Sequence, residues 1–144
     1  MRPSALIRTF IAAVILTLSV AAPSQGQDPP VDEWQAVITG QIEAFRHHDS
    51  KAALSFAASL FQESFADPEQ FYLTIVNTGY GPIATSRSHS FGKFEMMDAD
   101  NVVQQVNLID ADQSLYVALY KLGKEAGDWR VLAVELNKQP GVGV

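Results

Sequence analysis

The chain of 144 residues contains no cysteine. That absence excludes disulfide staples, a thiol nucleophile and a lipid carried on an N-terminal cysteine. Basic residues are scarce as well, 10 Lys and Arg against 16 Asp and Glu, for a formal charge of −6. Nucleic-acid affinity rests on basic side chains that neutralise phosphates, so a polyanionic partner is disfavoured. Docking on an anionic lipid surface is disfavoured for the same reason. No apolar run is long enough to span a membrane. The run over residues 10–22 is broken by Thr17 and Ser19 and falls short of the roughly 20 residues that a spanning helix needs. Gly-x-Ser-x-Gly, phosphate-loop, dinucleotide and His-Glu-x-x-His patterns are also missing. The sequence names no reaction and implies no cofactor.

What is there begins with an export signal. Arg2 and Arg8 precede the apolar run, no acid interrupts it, and small residues follow, the marks of a secretory signal peptide. Pro23 disfavours a cut after Ala22, whereas Ser24-Gln25-Gly26 offers small residues at the key positions. The expected mature start is Gln27, with cleavage after Ala22 as the second reading. The expected location is periplasmic or secreted, with no stable membrane insertion once the signal is gone. Removing residues 1–26 takes two arginines and no acid, so eight basic residues face 16 acidic ones, a net −8. The expected organisation is a signal peptide over 1–26, a flexible leader over 27–31, one domain over 32–138 and a tail over 139–144. About 118 residues suffice for one core that buries about two-thirds of the unfolded surface. That core must stabilise the fold without a covalent link.

Hydrophobic periodicity divides this domain in two. Trp34, Val37, Ile38, Ile42 and Phe45 recur at helical spacing. With Asp32 and Gln35 arranged as a capping box, they predict a helix over about 33–47. Asp49 or Ser50 can cap a second helix carrying Ala53, Leu54, Phe56, Ala57 and Leu60. Asp67-Pro68-Glu69-Gln70 starts a third, which carries Phe71, Tyr72, Ile75 and Val76 and stops at Gly79. Pro82 is expected to prevent the helix from resuming. From about residue 86 the period becomes two, with strands expected over 86–96, 101–109, 114–122 and 128–136. Short Asp- and Gly-containing connections between them suit antiparallel hairpins. Helices first and a four-stranded meander second is an α+β arrangement, with the helices on one face of the sheet. Leu115, Val117 and Leu119 alternate with Tyr116, Ala118, Tyr120 and Leu122, so both faces are apolar. The outer face is therefore expected to meet a partner, most simply a second copy of the chain.

Trp34 with Val37-Ile38 and Gln41-Ile42-Glu43-Ala44-Phe45-Arg46, Asp49 with the alanine-rich 52–58 segment, Phe71 through Gly79-Tyr80-Gly81-Pro82, and the closing Trp129-Arg130-Val131 together resemble one family. It is domain of unknown function 4864, small exported bacterial proteins, and the resemblance covers roughly 33–137. That family in turn is similar to the nuclear transport factor 2-like, or cystatin-like, fold. The resemblance implies helices closing over a curved four-stranded antiparallel sheet to make a cone, often with a pocket at its open end. Isomerases, dehydratases, ligand carriers and dimerisation modules share that fold, so it does not supply a function.

The candidate residues each carry a structural reading beside the functional one. Tyr80 could place a hydroxyl at a pocket mouth, or could simply pack back onto Ile75 or Val76 after the Gly79 stop. His47 and His48 point about 100° apart on a helix and do not make a metal site. Asp98-Ala99-Asp100 and Asp110-Ala111-Asp112 resemble calcium-loop fragments but lack the glycine and the distant glutamate, and read as turns. His89, Phe91, Lys93 and Glu95 alternate onto one face of the first strand, where His89 and Glu95 could act as base and acid. Of Gln104 and Gln105, one must face the helices, to be satisfied by a ligand or by neighbouring backbone and Arg46. The leading expectation is a non-enzymatic envelope protein binding an apolar small molecule or a partner protein, with Tyr80, Gln104 and Gln105 as ligand-binding candidates. The alternatives are an acid–base isomerase or dehydratase using Tyr80, His89 and Glu95, and a purely structural homodimer.

Overall fold

The computed structural model describes residues 28–141. The expected export signal and its expected cleavage point lie outside them. Among the described residues five α-helices precede four strands: α1 Val31–Arg46, α2 Ser50–Ser55, α3 Ser59–Ser64, α4 Pro68–Ile75, α5 Gly81–Thr85, then β1 Ser86–Asp98, β2 Asn101–Asp110, β3 Leu115–Glu125 and β4 Asp128–Lys138. The strands form one antiparallel meander in the order β1-β2-β3-β4. The expected α+β architecture is what the chain adopts.

α1 begins two residues earlier than its spacing predicts. Pro30 occupies the cap position without a side-chain cap, and Asp32 and Glu33 lie in the first turn, where they favour the positive end of the helix dipole. Gln35 closes no capping box, because its amide donates to Gln104 Oε1 at 3.1 Å. The buried stripe of α1 is Trp34, Ile38, Gln41, Ile42 and Phe45.

The expected second helix is two short ones. Between them the chain straightens, and Ala57 forms a parallel bridge to Val131 of β4. Val131 donates to Phe56 O and accepts from Ala58 N, both at 2.9 Å. Edge-strand hydrogen bonding thus displaces helical bonding at a point where local propensity favours helix. α4 opens as its residues predict, with Pro68 in the first turn and the Asp67 carboxylate accepting from Glu69 N at 3.0 Å. It ends in a wide turn over Val76–Tyr80, where Gly79 takes φ 107°. The backbone at Gly79 is left-handed, as a helix-stopping glycine should be. Pro82 does not end the helical region, however. It lies at the start of α5, a position that tolerates proline because its missing N–H would have no partner there.

Bulges curve the sheet and reset which residues face inward. In β1, Phe91 pairs with Val106 and Phe94 with Gln104, so Gly92 and Lys93 together oppose Gln105. A Cβ at position 92 would lie 2.8 Å from the Gln105 amide, so a side chain there would push the end of Gln105 aside. In β4 the register slips at Leu132, between Val131 opposite Leu122 and Ala133 opposite Lys121. Trp129 and Val131 therefore share the inner face with Val134 and Leu136, which also pack on the core. A strict two-residue alternation would have split them. The core lies between this inner face and the helices, with Trp34, Ile38, Ile42, Val102, Val106, Leu108, Tyr120 and Leu122 fully buried.

Candidate functional site

α1, α4, α5 and the α2–α3 segment do not close completely over β4. They leave a cavity of about 260 Å³. Its buried floor is Gln41 and Phe45 of α1, Ala57, Phe71, Ile83 and Val131. Its partly exposed rim includes Phe61, Ile75, Tyr80, Leu132 and Val134. The cavity exists because the bridge at Ala57 pins one end of the helical layer to β4, while the wide turn at Val76–Tyr80 carries the chain away before α5 returns. No lysine, arginine, histidine or carboxylate is among the described residues that line it. Polarity enters through Gln41 and Tyr80.

Tyr80 lies at the rim of this cavity, as does Ile75, and both pack against the buried core. Gln104 faces the helices and is fully buried. Its Oε1 accepts from Trp34 Nε1 at 2.8 Å and Gln35 Nε2 at 3.1 Å. Its Nε2 donates to the carbonyls of Gly92, Lys93 and Gln105 at 3.0, 3.3 and 2.9 Å. Every hydrogen-bonding position of the amide is thus taken by protein. Gln104 fastens the β1 bulge to α1, and Arg46 takes no part. Gln105 points to the outer face and donates to Asn107 Oδ1 at 3.2 Å.

His89 and Glu95 do not meet. His89 pairs with Leu108 on the inner face, whereas Glu95 lies beyond the Gly92-Lys93 bulge and pairs with Val103 on the outer face. Tyr80 borders β4, at the opposite edge of the sheet from β1. The three residues of the acid–base alternative share no site.

His89 belongs instead to a polar cluster under the end of α1. Arg46 Nη2 donates to His89 Nδ1 at 3.2 Å, which leaves the proton on Nε2 to donate to Thr39 Oγ1 at 3.0 Å. Arg46 also donates to Ser86 Oγ from Nε and Nη2, and the Ser86 hydroxyl in turn donates to Ile83 O. Burial, and then the Arg46 cation, hold the His89 pKa below its ordinary value, while Glu43 opposes them. The hydroxyl of Tyr120 is the one buried side-chain polar atom among the described residues without a partner, and burial raises its pKa. His48 and Ser50 both bond Glu69, tying the α1–α2 turn to α4 and lowering the Glu69 pKa. The acidic hairpins act as turns: Asp98 Oδ1 accepts from Asp100 N, and Asp112 Oδ1 from Ser114 N. Among the described residues no group of three or more His, Asp or Glu is placed to hold a metal ion.

The residue that sequence reasoning missed is Gln41. Its signal was present, a polar side chain within the apolar stripe of α1, seven residues after Trp34 and four before Phe45. An amide at a core position needs partners, and half of this one has them: Nε2 donates to Ala53 O at 3.0 Å.

Solved structures with this arrangement include a protein of unknown function with a cystatin-like fold from Nostoc punctiforme. It is 11% identical at a TM-score of 0.55, over 78% of this chain and 93% of that one. An NTF2-like protein of unknown function from Shewanella baltica is 12% identical at 0.52, over 80% and 100%. A hexachlorocyclohexane dehydrochlorinase, LinA-type3, from Novosphingobium barchaimii is 13% identical at 0.46, over 79% and 91%, too distant to bear on chemistry. No curated protein matches the sequence. The profile of the domain of unknown function DUF4864 matches residues 27–144. The chain, an NTF2-like α+β fold with an apolar cavity between its helices and its last strand, belongs to the DUF4864 family.

Proposed function

We propose that this protein is a binding module for a small apolar molecule, held in the cavity between the helices and β4. The observation that carries this reading is the cavity itself, about 260 Å³ with a floor of Phe45, Ala57, Phe71, Ile83 and Val131 around a single amide. Ligand sites are typically concave, mostly apolar and furnished with a few polar groups. A dry cavity of ~150 Å³ can already take up benzene, and drug-sized ligands use ~300 Å³ or more. The volume here favours a single substituted ring or a short branched chain over a sterol or a long lipid. The basic, apolar, small-residue order of the first 26 residues supports a periplasmic or secreted site of action.

The test is a thermal-shift and NMR titration with small hydrocarbons, single-ring aromatics and short-chain acids. A ligand present at about a hundred times its Kd stabilises by ~2.7 kcal/mol, which raises the Tm of a domain this size by roughly 10 °C. Ile75→Trp, at the rim, should fill the space and abolish the shift while leaving the unliganded protein folded. If no probe perturbs the resonances of Phe71, Ile83 or Val131, the reading is wrong.

A further inference from the structure

We infer that the cavity selects an uncharged ligand carrying a hydrogen-bond donor, a phenol, alcohol or amide N–H, and that the group receiving this donor is Oε1 of Gln41. The inference rests on the binding reading above and deepens it. Gln41 is 4% exposed and borders the cavity. Its amide orientation is fixed by chemistry, because Ala53 O can only accept and so the atom facing it at 3.0 Å must be the NH₂ group. Oε1 is thereby left on the other side of the amide, and no described residue donates to it. Covering this oxygen with a C–H surface would strip it of water and leave it without a donor, so a ligand N–H or O–H reaching it is favoured over a C–H surface of the same shape.

The lining also sets the charge. None of the described residues around the cavity can offset a carboxylate or an ammonium, and a charge moved from water into apolar surroundings without a partner is strongly disfavoured. Tyr80 adds a hydroxyl at the rim, further out than Gln41, where it can meet solvent or the outer end of a ligand. The combination resembles neither a fatty-acid site nor an amine site. It suits a one-ring neutral amphiphile with its polar end directed inward.

The experiment compares 4-ethylphenol, ethylbenzene, 4-ethylanisole and 4-ethylbenzoate by NMR titration at pH 7, in the wild type and in Gln41→Met and Tyr80→Phe. The readout is the ratio of 4-ethylphenol to ethylbenzene affinity, which cancels the shared apolar contribution. Gln41→Met should lower this ratio about tenfold, the scale of one net hydrogen bond, while leaving ethylbenzene affinity unchanged, which also shows that the cavity is intact. Tyr80→Phe should leave the ratio within about twofold. Should Gln41→Met fail to fold, the wild type alone decides: 4-ethylanisole, which has lost the donor, should bind about tenfold more weakly than 4-ethylphenol. Binding of 4-ethylbenzoate at the strength of the phenol, a ratio unmoved by Gln41→Met, or one collapsed by Tyr80→Phe instead overturns the inference and leaves the apolar-cavity reading standing. Failure of all four probes to bind removes both.

Discussion

The indole N–H of Trp34 donates to Oε1 of Gln104 at 2.8 Å, joining the first turn of α1 to the centre of β2 across 70 positions of sequence. Both residues are fully buried. The same glutamine holds the carbonyls of the β1 bulge through its other end. One side chain thus sets both how the first helix lies on the sheet and where the sheet bends.

Replacing Gln104 by Leu should destabilise the protein by about 2–4 kcal/mol, because it strands the Trp34 N–H in a dry site and releases the bulge carbonyls. In a Trp34→Phe background the orphaned donor is gone, and the same substitution should be milder by about 1–2 kcal/mol. Urea unfolding of the four proteins in the cycle measures the difference. Strictly additive effects would mean that the hydrogen bond contributes nothing.

Acid should weaken the fold through His89. Burial and Arg46 lower its folded pKa beneath the ordinary value of 6.5. Between those two values the unfolded chain binds a proton that the folded chain refuses, so stability rises with pH there. The contribution is complete above about pH 6.5 and is lost as the pH falls toward the folded value. His89→Gln can still donate to Thr39 and cannot become a cation beside Arg46. Urea midpoints at pH 7.5 and 5.5 should fall closer together in His89→Gln than in the wild type, and an unchanged gap would place the pH dependence elsewhere.

Gly79→Ala should destabilise by about 1–2 kcal/mol through backbone strain alone. Gly79 has φ 107°, and a Cβ there would meet nothing within 4 Å, so steric overlap plays no part. Thermal unfolding of this variant reads the conformational term directly. Equal stability would show that the wide turn relaxes without loss.

The outer face of the sheet presents Val103, Ile109, Leu115, Val117 and Leu119, with Ile109 41% and Leu119 37% exposed. We expect self-association through this face at high micromolar concentration, and Leu119→Glu should leave a monomer. Sedimentation of the wild type as a monomer under those conditions would count against a homodimer.

Much of this architecture is legible before folding is considered. The Asp67-Pro68 start of α4, the left-handed Gly79 and the four strands fall where local chemistry places them, because capping, φ > 0 and turn formation are decided within a few residues. Pro82 was misplaced by a local rule, since proline suits a helix start as well as a stop, but the other failures share one cause. The split between α2 and α3, the role of Gln104 and the faces of His89 and Glu95 all depend on partners distant in sequence. A two-residue period carries no marker for a slipped register apart from the glycine at 92, so the inward alternation of His89 and Phe91 could not be seen to pass to Phe94 and Met96.

The sequence by itself determined the absence of covalent staples, the acidic charge, the order of helices before strands and the helix stop at Gly79. These follow from composition and from forces that act over one or two turns of chain. Only the tertiary structure decided that Gln104 is spent on Trp34 and the bulge, that His89 and Glu95 face opposite ways, and that Gln41 borders a cavity with one oxygen to which no described residue donates. Each of those outcomes depends on which distant surfaces pack together, because a buried polar group takes whichever partner the closed core brings within reach.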